Sequence, residues 1–127
     1  MVEYVFLDTE TTGLDDAAQI VEIAIVDGAG KVLFESYCRP TVPVDSGAQA
    51  VHGIGPKVLA AAPGWPEIAD QVRQVLTGRT VVIFNADFDF RILEQTAVAH
   101  GDPAAWLNDL ETECAMCRAA DVYGATN

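Results

Sequence analysis

The fold of this chain is decided near its start, by the stretch Tyr4-Val5-Phe6-Leu7-Asp8-Thr9-Glu10-Thr11-Thr12-Gly13. Aromatic and apolar residues precede Asp8, and a run of this kind bounded by polar residues predicts a buried strand over residues 4 to 8. The polar residues that follow, up to the turn-forming Gly13, predict that the strand stops there. The first strand is therefore expected to end in carboxylates.

Two β-branched runs follow and predict an antiparallel hairpin. Residues 20 to 26 and residues 31 to 38 are joined by the turn Asp27-Gly28-Ala29-Gly30, which is typical of such a connection. With the first strand they form a three-stranded antiparallel meander. Near the end of the chain, residues 109 to 112 predict a short strand and residues 115 to 123 a helix.

Helical periodicity appears after the meander. Pro66, at a first-turn position, opens an amphipathic helix that ends near Gly78. Residues 80 to 84 then predict a short apolar strand, and residues 87 to 99 carry apolar side chains at helical spacing. An alternation of strand and helix indicates strands added in parallel to the sheet.

These elements together predict an α/β fold. An antiparallel meander extended by parallel strands and flanked by helices is a layered mixed sheet, ribonuclease-H-like by analogy. The segment from Pro40 to Pro63 predicts mostly loop, with a short helical turn at residues 57 to 61. At 127 residues and 50% hydrophobic content, the chain fits a single domain, residues 1 to 127.

The charge balance is strongly acidic, with 7 Lys and Arg residues against 19 Asp and Glu residues and a net charge of -12. Since phosphate contacts come mainly from Lys and Arg, this argues against a non-specific polyanion binder unless bound divalent cations reverse the local field. Without a basic leader, an apolar run of roughly 20 residues or a disulfide framework, we expect a cytoplasmic protein with no membrane partner.

Asp8 and Glu10 are the first candidate site. Strand side chains alternate with a period of two, so both carboxylates point to the same side of the strand. Two like charges beside an apolar run need a counterion, and Mg²⁺ or Mn²⁺ with oxygen ligands is the usual one. The spacing alone also fits carboxylates that cap a loop or lie in solvent.

The second candidate site is Asn85-Ala86-Asp87-Phe88-Asp89, which follows a strand and opens a helix. Helix capping accounts for one of these polar residues. It does not account for three of them at the carboxyl end of a strand, where α/β sheets place their sites.

Together the segments resemble the DEDD family of 3'-to-5' exonucleases, which includes the proofreading subunit of bacterial DNA polymerase III and ribonuclease T. The stretch from Phe6 to Leu14 is similar to the first exonuclease motif, and Ile20-Val21-Glu22-Ile23-Ala24 to the strand after it. Val51-His52-Gly53-Ile54 is similar to a histidine loop of the family, and residues 85 to 89 to its second motif. Four landmarks in the right order over residues 4 to 93 make a specific signal.

The resemblance implies a two-metal reaction, in which one Mg²⁺ or Mn²⁺ ion activates a water and the other stabilises the leaving 3' oxygen. The catalytic residues and metal ligands that it implies are Asp8, Glu10 and Asp89. The nucleotide contacts that it implies are Thr9, His52, Asn85 and Phe88. The expected partner is DNA or RNA with a free 3' end, and a polymerase or a self-associating copy is a further one.

Three positions in or beside the motifs also have plainer interpretations. His52 fits an exposed loop histidine without a role. Glu22 fits a partner to the threonines after Glu10, or a solvent-facing position on an edge strand. Phe84 stands where many relatives have histidine or tyrosine, and we expect it to pack in the core.

The family's third motif, a general-base histidine and a fourth metal aspartate on a C-terminal helix, has no counterpart here. His100 and Asp102 fit a helix-end turn instead. We therefore expect a C-terminally incomplete exonuclease domain with that helix missing. A missing general base typically costs about 10²- to 10⁴-fold in rate, and the uncovered sheet would expose an apolar patch.

Two other functions stay open. A catalytically inactive module that binds nucleic-acid 3' ends would keep the pocket without turnover. Cys114-Ala115-Met116-Cys117 has the spacing of a redox pair or of half a zinc site. Zinc would need two further ligands, for which the sequence offers Cys38, His52 and His100, so ordinary small core residues are the plainer interpretation.

Overall fold

The computed structural model describes residues 3 to 115, and their strands form a five-stranded mixed sheet. The strands are β1 (Tyr4–Thr11), β2 (Ile20–Asp27), β3 (Val32–Tyr37), β4 (Thr80–Ile83) and β5 (Glu111–Cys114). Their order across the sheet is β3-β2-β1-β4-β5. The first three strands pair antiparallel, whereas β4 pairs parallel with β1, and β5 with β4. The predicted antiparallel meander with parallel additions is confirmed.

The helices between the strands are α1 (Ser46–His52), α2 (Pro56–Ala60), α3 (Trp65–Leu76) and α4 (Ala86–Ala99), followed by a 3-10 turn at Ala105–Asp109. The last three helices lie where the sequence predicts them. In contrast, α1 occupies part of the segment predicted as loop. It contains no buried residue, so it has no apolar stripe that could reveal it. The helix predicted over residues 115 to 123 lies almost wholly outside the described residues, and no described helix is long and apolar enough to cross a membrane.

Side-chain alternation along β1 decides which face of the sheet is covered. Val5 and Leu7 are buried against α3 and α4, together with residues of β2 and β4 that point the same way. The intervening side chains point to the opposite face, where Phe6 is 43% exposed. The apolar residues that the described part of the chain leaves exposed on this second face are Tyr4, Phe6, Val32 and Tyr37.

The predicted end of the first strand is wrong, because β1 continues through the polar residues to Thr11. Thr9 pairs with Ile23 and Glu10 with Glu22, and the register shifts only between Glu10 and Thr11. Pairing with β4 ends at Leu7, whereas pairing with β2 continues to Thr11, so backbone pairing with β2, rather than side-chain polarity, sets where this strand ends.

A buried threonine fastens α4 to the sheet. The Thr96 hydroxyl donates to the Ile92 carbonyl at 2.7 Å and accepts the Ile20 backbone N–H at 2.9 Å. Thr96 is fully buried, so the Ile20 donor has no access to water. The Thr96 hydroxyl on α4 therefore supplies the hydrogen-bond acceptor for the backbone N–H of the first residue of β2.

Thr96→Val should destabilise the protein by about 1–3 kcal/mol, because it leaves the buried Ile20 N–H without a hydrogen-bond acceptor. Thr77→Val is the matched control. Its exposed hydroxyl also donates to the carbonyl four residues earlier, that of Arg73, but accepts nothing from the sheet, so we expect a change within about 0.5 kcal/mol. Urea unfolding midpoints check both values, and equal losses would contradict this role for Thr96.

Candidate active site

Asp8 and Glu10 lie on one face of β1, at the centre of the sheet. In the antiparallel pairing with β2, Asp8 stands opposite Ala24 and Glu10 opposite Glu22. Asp8 is exposed and Glu10 is half-buried. The carboxylates therefore share the face on which Phe6 is exposed, rather than the face covered by α3 and α4.

Glu22 joins this pair from β2, which has β1 on one side and β3 on the other. The interpretation of Glu22 as an edge-strand residue is therefore wrong. Burial raises the pKa of the Glu22 carboxyl, and the negative charges of Glu10, Glu35 and Asp8 raise it further, while His52 opposes them. Burial and the like charges on adjacent strands thus make ionisation of the Glu22 carboxyl costly.

Asp89 lies in the first turn of α4, half-buried and bonded to β1. The Thr9 hydroxyl donates to its Oδ1 at 2.7 Å. Burial raises the pKa of the Asp89 carboxyl, the Thr9 hydrogen bond lowers it, the charge of Asp8 raises it, and a backbone hydrogen bond to Asn85 lowers it. Asp8 and Asp89 are thus close enough for their charges to interact.

The predicted carboxylates do not converge into a closed cage. Within residues 3 to 115, no group of three or more His, Cys, Asp and Glu side chains is arranged to hold a metal ion. Asp8 and Glu10 stand side by side on one strand face, whereas Asp89 is reached through Thr9, which alternates to the other face. The donor set is nevertheless all oxygen, as hard divalent cations prefer.

His52 ends α1 and its ring is fixed at both nitrogens. The Ile54 backbone N–H donates to Nδ1 at 3.0 Å, so Nε2 carries the proton that faces the Thr11 carbonyl at 3.2 Å. The ring is half-buried, so the interpretation of His52 as an exposed loop residue is wrong. The histidine ties α1 to the end of β1.

A pocket of about 440 Å³ opens between the end of β1 and α1. Glu10 and His52 line it, and so do Leu14 and Val51, whose side chains are 76% and 82% exposed. Large apolar side chains left open to water beside a carboxylate and a histidine suit a ligand with both an apolar and a charged part.

The second motif presents Asn85 and Phe88 at the start of α4. Asn85 occupies the N-cap position, but its side chain makes no capping hydrogen bond, so capping does not account for its amide. Phe88 is half-buried, and the Arg91 guanidinium lies 5.7 Å from the centre of its ring. Asp87 is exposed.

Phe84 is 69% exposed, so the prediction that it packs in the core is wrong. β4 ends at the buried Ile83, and the side chain that follows it in the alternation of a strand points away from the core, so Phe84 faces water at the turn. Its carbonyl accepts a hydrogen bond from the Cys114 thiol at 3.5 Å. The aromatic ring therefore stands at the carboxyl end of β4, next to the second motif.

Sequence reasoning missed the residues that join the two motifs. From α4, the Arg91 guanidinium donates to the Leu14 carbonyl at 2.9 Å, and the Gln95 amide donates to the Ala18 carbonyl at 2.8 Å. These bonds fix the loop that follows β1. The available signal was an arginine in a chain with few cations, four residues before a glutamine on the same helical face.

His100 and Asp102 form the helix-end turn that the sequence predicts. The His100 ring donates from Nδ1 to the Thr96 carbonyl at 2.9 Å. The Asp102 carboxylate accepts from Trp65 Nε1 at 3.2 Å and from the Ala104 backbone N–H at 2.8 Å. Both side chains therefore have structural partners at the end of α4.

The cysteines give little support to a redox or zinc function. Cys38 is buried, and burial raises the pKa of its thiol to about 11. Cys114 is half-buried at the end of β5, while Cys117 of the C-x-x-C pair lies outside the described residues. A reactive thiol is favoured by exposure and a lowered pKa, and Cys38 has neither.

Phe84→Ala should change the free energy of unfolding by no more than about 0.5 kcal/mol, because the ring buries little surface. Leu76→Ala, at a position of the core that is fully buried, should cost about 2–5 kcal/mol. Urea denaturation of both variants checks this contrast. A loss in Phe84→Ala as large as that in Leu76→Ala would mean that the ring is packed in solution.

Iodoacetamide at pH 8 should leave Cys38 unmodified in the native protein and alkylate it in urea, since a pKa of about 11 leaves only about one thiol in a thousand ionised. In the unfolded chain the thiol ionises nearer its ordinary pKa of 9.0, so folding stability should fall as the pH rises from 9.0 towards 11. Peptide mass spectrometry measures the labelling, and rapid labelling of native Cys38 would contradict the prediction that this thiol is protected.

A disulfide between Cys114 and Cys117 that reductant removes would instead support the redox function.

The comparisons with known proteins agree on one family. Residues 5–117 match the exonuclease family. The chain is 38% identical over 123 residues to an uncharacterized exonuclease of Escherichia phage 186, an alignment that covers 94% of this chain and 63% of that protein. It is 34% identical over 100 residues to the DNA polymerase III subunit epsilon of Escherichia coli (strain K12), covering 71% of this chain and 41% of that subunit. This chain belongs to the exonuclease family, and the predicted family membership is confirmed.

Solved structures show the same fold. Escherichia coli exonuclease I, in a crystal structure with a dA16 oligonucleotide, matches with a TM-score of 0.79 at 20% sequence identity, over 97% of this chain and 30% of that chain. The ribonuclease-H-like architecture is thereby confirmed. The chain spans 63% of the phage protein and 41% of the polymerase subunit.

Proposed function

We propose that this chain is a metal-dependent 3'-to-5' exonuclease domain that removes nucleoside monophosphates from the 3' end of DNA or RNA. The observation that carries the proposal is the placement of Asp8 and Glu10 on one open face of the central strand, beside the pocket lined by His52. Membership of the exonuclease family supports it. We propose further that residues 1 to 127 belong to one domain.

The oxygen donors fit Mg²⁺ or Mn²⁺. Magnesium is usually held by one or two carboxylates, while waters and substrate phosphates fill its other positions, so Asp8 and Glu10 suffice as a starting pair. Asp89 is the third proposed ligand, and Thr9 holds its carboxylate through one oxygen. When bound, two ions would supply an activated water and a stabilised leaving 3' oxygen.

Electrostatics makes the cation part of substrate binding. The chain carries a net charge of -12, and the open face gathers Asp8, Glu10 and Glu22. A phosphodiester approaching these carboxylates would be repelled. Divalent cations invert that local field, so binding of the strand and binding of the metal should be coupled.

The pocket beside Glu10 suits the terminal nucleotide. Exposed Leu14 and Val51 offer apolar surface for a sugar or base, and the fixed ring of His52 lines the same pocket. Asn85, which makes no capping bond, and the rings of Phe84 and Phe88 lie at the start of α4, where they would contact the strand. Aromatic faces accept bases of any sequence.

A second candidate function is a catalytically inactive module that binds nucleic-acid 3' ends. The sequence contains two histidines, and both ring systems are engaged with backbone groups, His52 at Thr11 and Ile54, and His100 at Thr96. Neither is placed as a free general base. Binding without turnover would follow if no other residue takes the proton.

Relatives named as subunits of DNA polymerase III support a polymerase as a partner. We propose this association for the whole protein. The exposed side chains Tyr4, Phe6, Val32 and Tyr37 are also compatible with a second copy of the chain as partner.

Asp8→Asn should abolish release of nucleotides from a 3'-labelled single strand in Mg²⁺ or Mn²⁺, since it removes a metal-ligand charge at constant size. Asp70→Asn, on an exposed position of α3, is the matched control and should retain the activity of the unmodified chain. Product analysis by gel electrophoresis should show nucleoside monophosphates leaving from the labelled end. Chelation with EDTA should stop the reaction.

The same assay is run on a version that carries a family third motif, with its histidine and aspartate, after Asn127. Metal-dependent release in either version, lost in Asp8→Asn, supports the exonuclease. Metal-dependent retention of 3' ends without release in both versions supports the end-binding module. If both versions fail to release nucleotides and also fail to bind 3' ends, both proposals are wrong.

A further inference from the structure

We infer that Glu22 is a positioning residue of the proposed metal site. Its carboxylate orders water on the divalent ion beside Glu10 and so strengthens the binding of that ion. The inference rests on the proposed function. It adds a residue from β2 to a site otherwise drawn from β1 and α4.

The register of the sheet places Glu22 beside the site. Glu22 and Glu10 are direct partners in the antiparallel pair of β1 and β2. Side chains directly opposite each other in such a pair lie on the same face, with Cβ atoms about 4.5–5.5 Å apart. Asp8 is two residues before Glu10 on that face, so the three carboxylates form a triangle across two strands.

Within the described part of the chain, the surroundings of Glu22 contain no hydrogen-bond or ion-pair partner that would give its carboxylate a structural role. Between residues 3 and 115, its side chain makes no hydrogen bond and no ion pair. It is half-buried, and Glu35 on β3 adds a further negative charge. Like charges directly opposite in a sheet are destabilising, so these residues oppose folding unless a cation joins them.

A position one strand away from the ligands suits an indirect role. Asp8 and Glu10 take the direct places on β1, and Mg²⁺ keeps several waters. Carboxylates that accept hydrogen bonds from groups on the metal orient them and tune the affinity of the site. Glu22 is placed for that role beside Glu10.

Glu22→Gln tests the charge at constant shape, and Glu35→Gln is the matched control. Glu35 stands on the same face one strand further from Glu10, opposite Ala24, and is exposed. Mn²⁺ binding without nucleic acid is followed by electron paramagnetic resonance of the free ion. We expect Glu22→Gln to raise the Mn²⁺ dissociation constant about three- to tenfold and Glu35→Gln to raise it less than about twofold.

Thermal unfolding in EDTA and in Mn²⁺ separates this role from a structural one. In EDTA, Glu22→Gln should unfold at a temperature equal to or above that of the unmodified protein, because repulsion with Glu10 is relieved. In Mn²⁺ the stabilisation of the variant should be smaller. A variant that loses stability equally in both conditions would show a structural role and overturn the inference.

Asp8→Asn distinguishes the inference from the function on which it rests. If Mn²⁺ binds the unmodified protein and is lost in Asp8→Asn, while Glu22→Gln and Glu35→Gln bind alike, the positioning role of Glu22 is wrong and the metal site stands. If Asp8→Asn binds Mn²⁺ as the unmodified protein does, the proposed metal site itself is wrong, and the role of Glu22 with it.

Discussion

The alternation of side chains along β1 is the constraint on which the other features depend. This central strand must bury Val5 and Leu7 beneath α3 and α4, because they supply the middle of the core. Successive side chains of a strand point to opposite faces, so the same requirement directs Asp8 and Glu10 away from the core. A slip of one residue would bury both carboxylates and expose the core residues. Hydrophobic burial therefore fixes where the charges stand.

The resulting cluster of charge is costly in the protein alone. Glu10 faces Glu22 across the strands, and Asp8 acts on both Glu22 and Asp89. Desolvation is the largest influence on the two half-buried carboxyls whose pKa is raised, and repulsion by neighbours adds to it. Evolved sequences commonly keep such local conflicts at functional sites. A divalent cation at the proposed metal site would convert this repulsion into attraction, which would let an acidic chain bind a phosphodiester.

Much of the fold was predictable because its signals are strong and local. The apolar period of α3, the hairpin turn before β3 and the two carboxylate motifs each follow from a few adjacent residues. α1 was not predictable, since it buries none of its residues and has no apolar period. The position of Phe84 was missed because alternation after the buried Ile83 turns this side chain away from the core. The neighbours of Glu22 depend on a pairing register that a single strand does not reveal.

The site was predictable as a set of residue types but not as an arrangement. The sequence indicates Asp8, Glu10 and Asp89, yet it does not reveal that Thr9 donates to Asp89 across 80 positions of the chain. Nor does it reveal that Arg91 and Gln95 hold the loop after β1. These bonds join the two motifs from opposite directions: the bond of Thr9 runs from strand to helix, and those of Arg91 and Gln95 run from helix to loop.

Such ties matter because carboxylates that repel one another do not stay together unaided. The Thr9 hydroxyl offsets part of the cost of ionising Asp89, and Arg91 contributes a positive charge next to Phe88 and the Leu14 carbonyl. The core anchors α4 through Ile92 and Thr96, which are both fully buried. Because packing and hydrogen bonds have already fixed the start of α4 against β1, a metal ion would not need to order them. The conformational cost of holding the two motifs against each other is thereby met largely by folding, before any ion or nucleic acid binds.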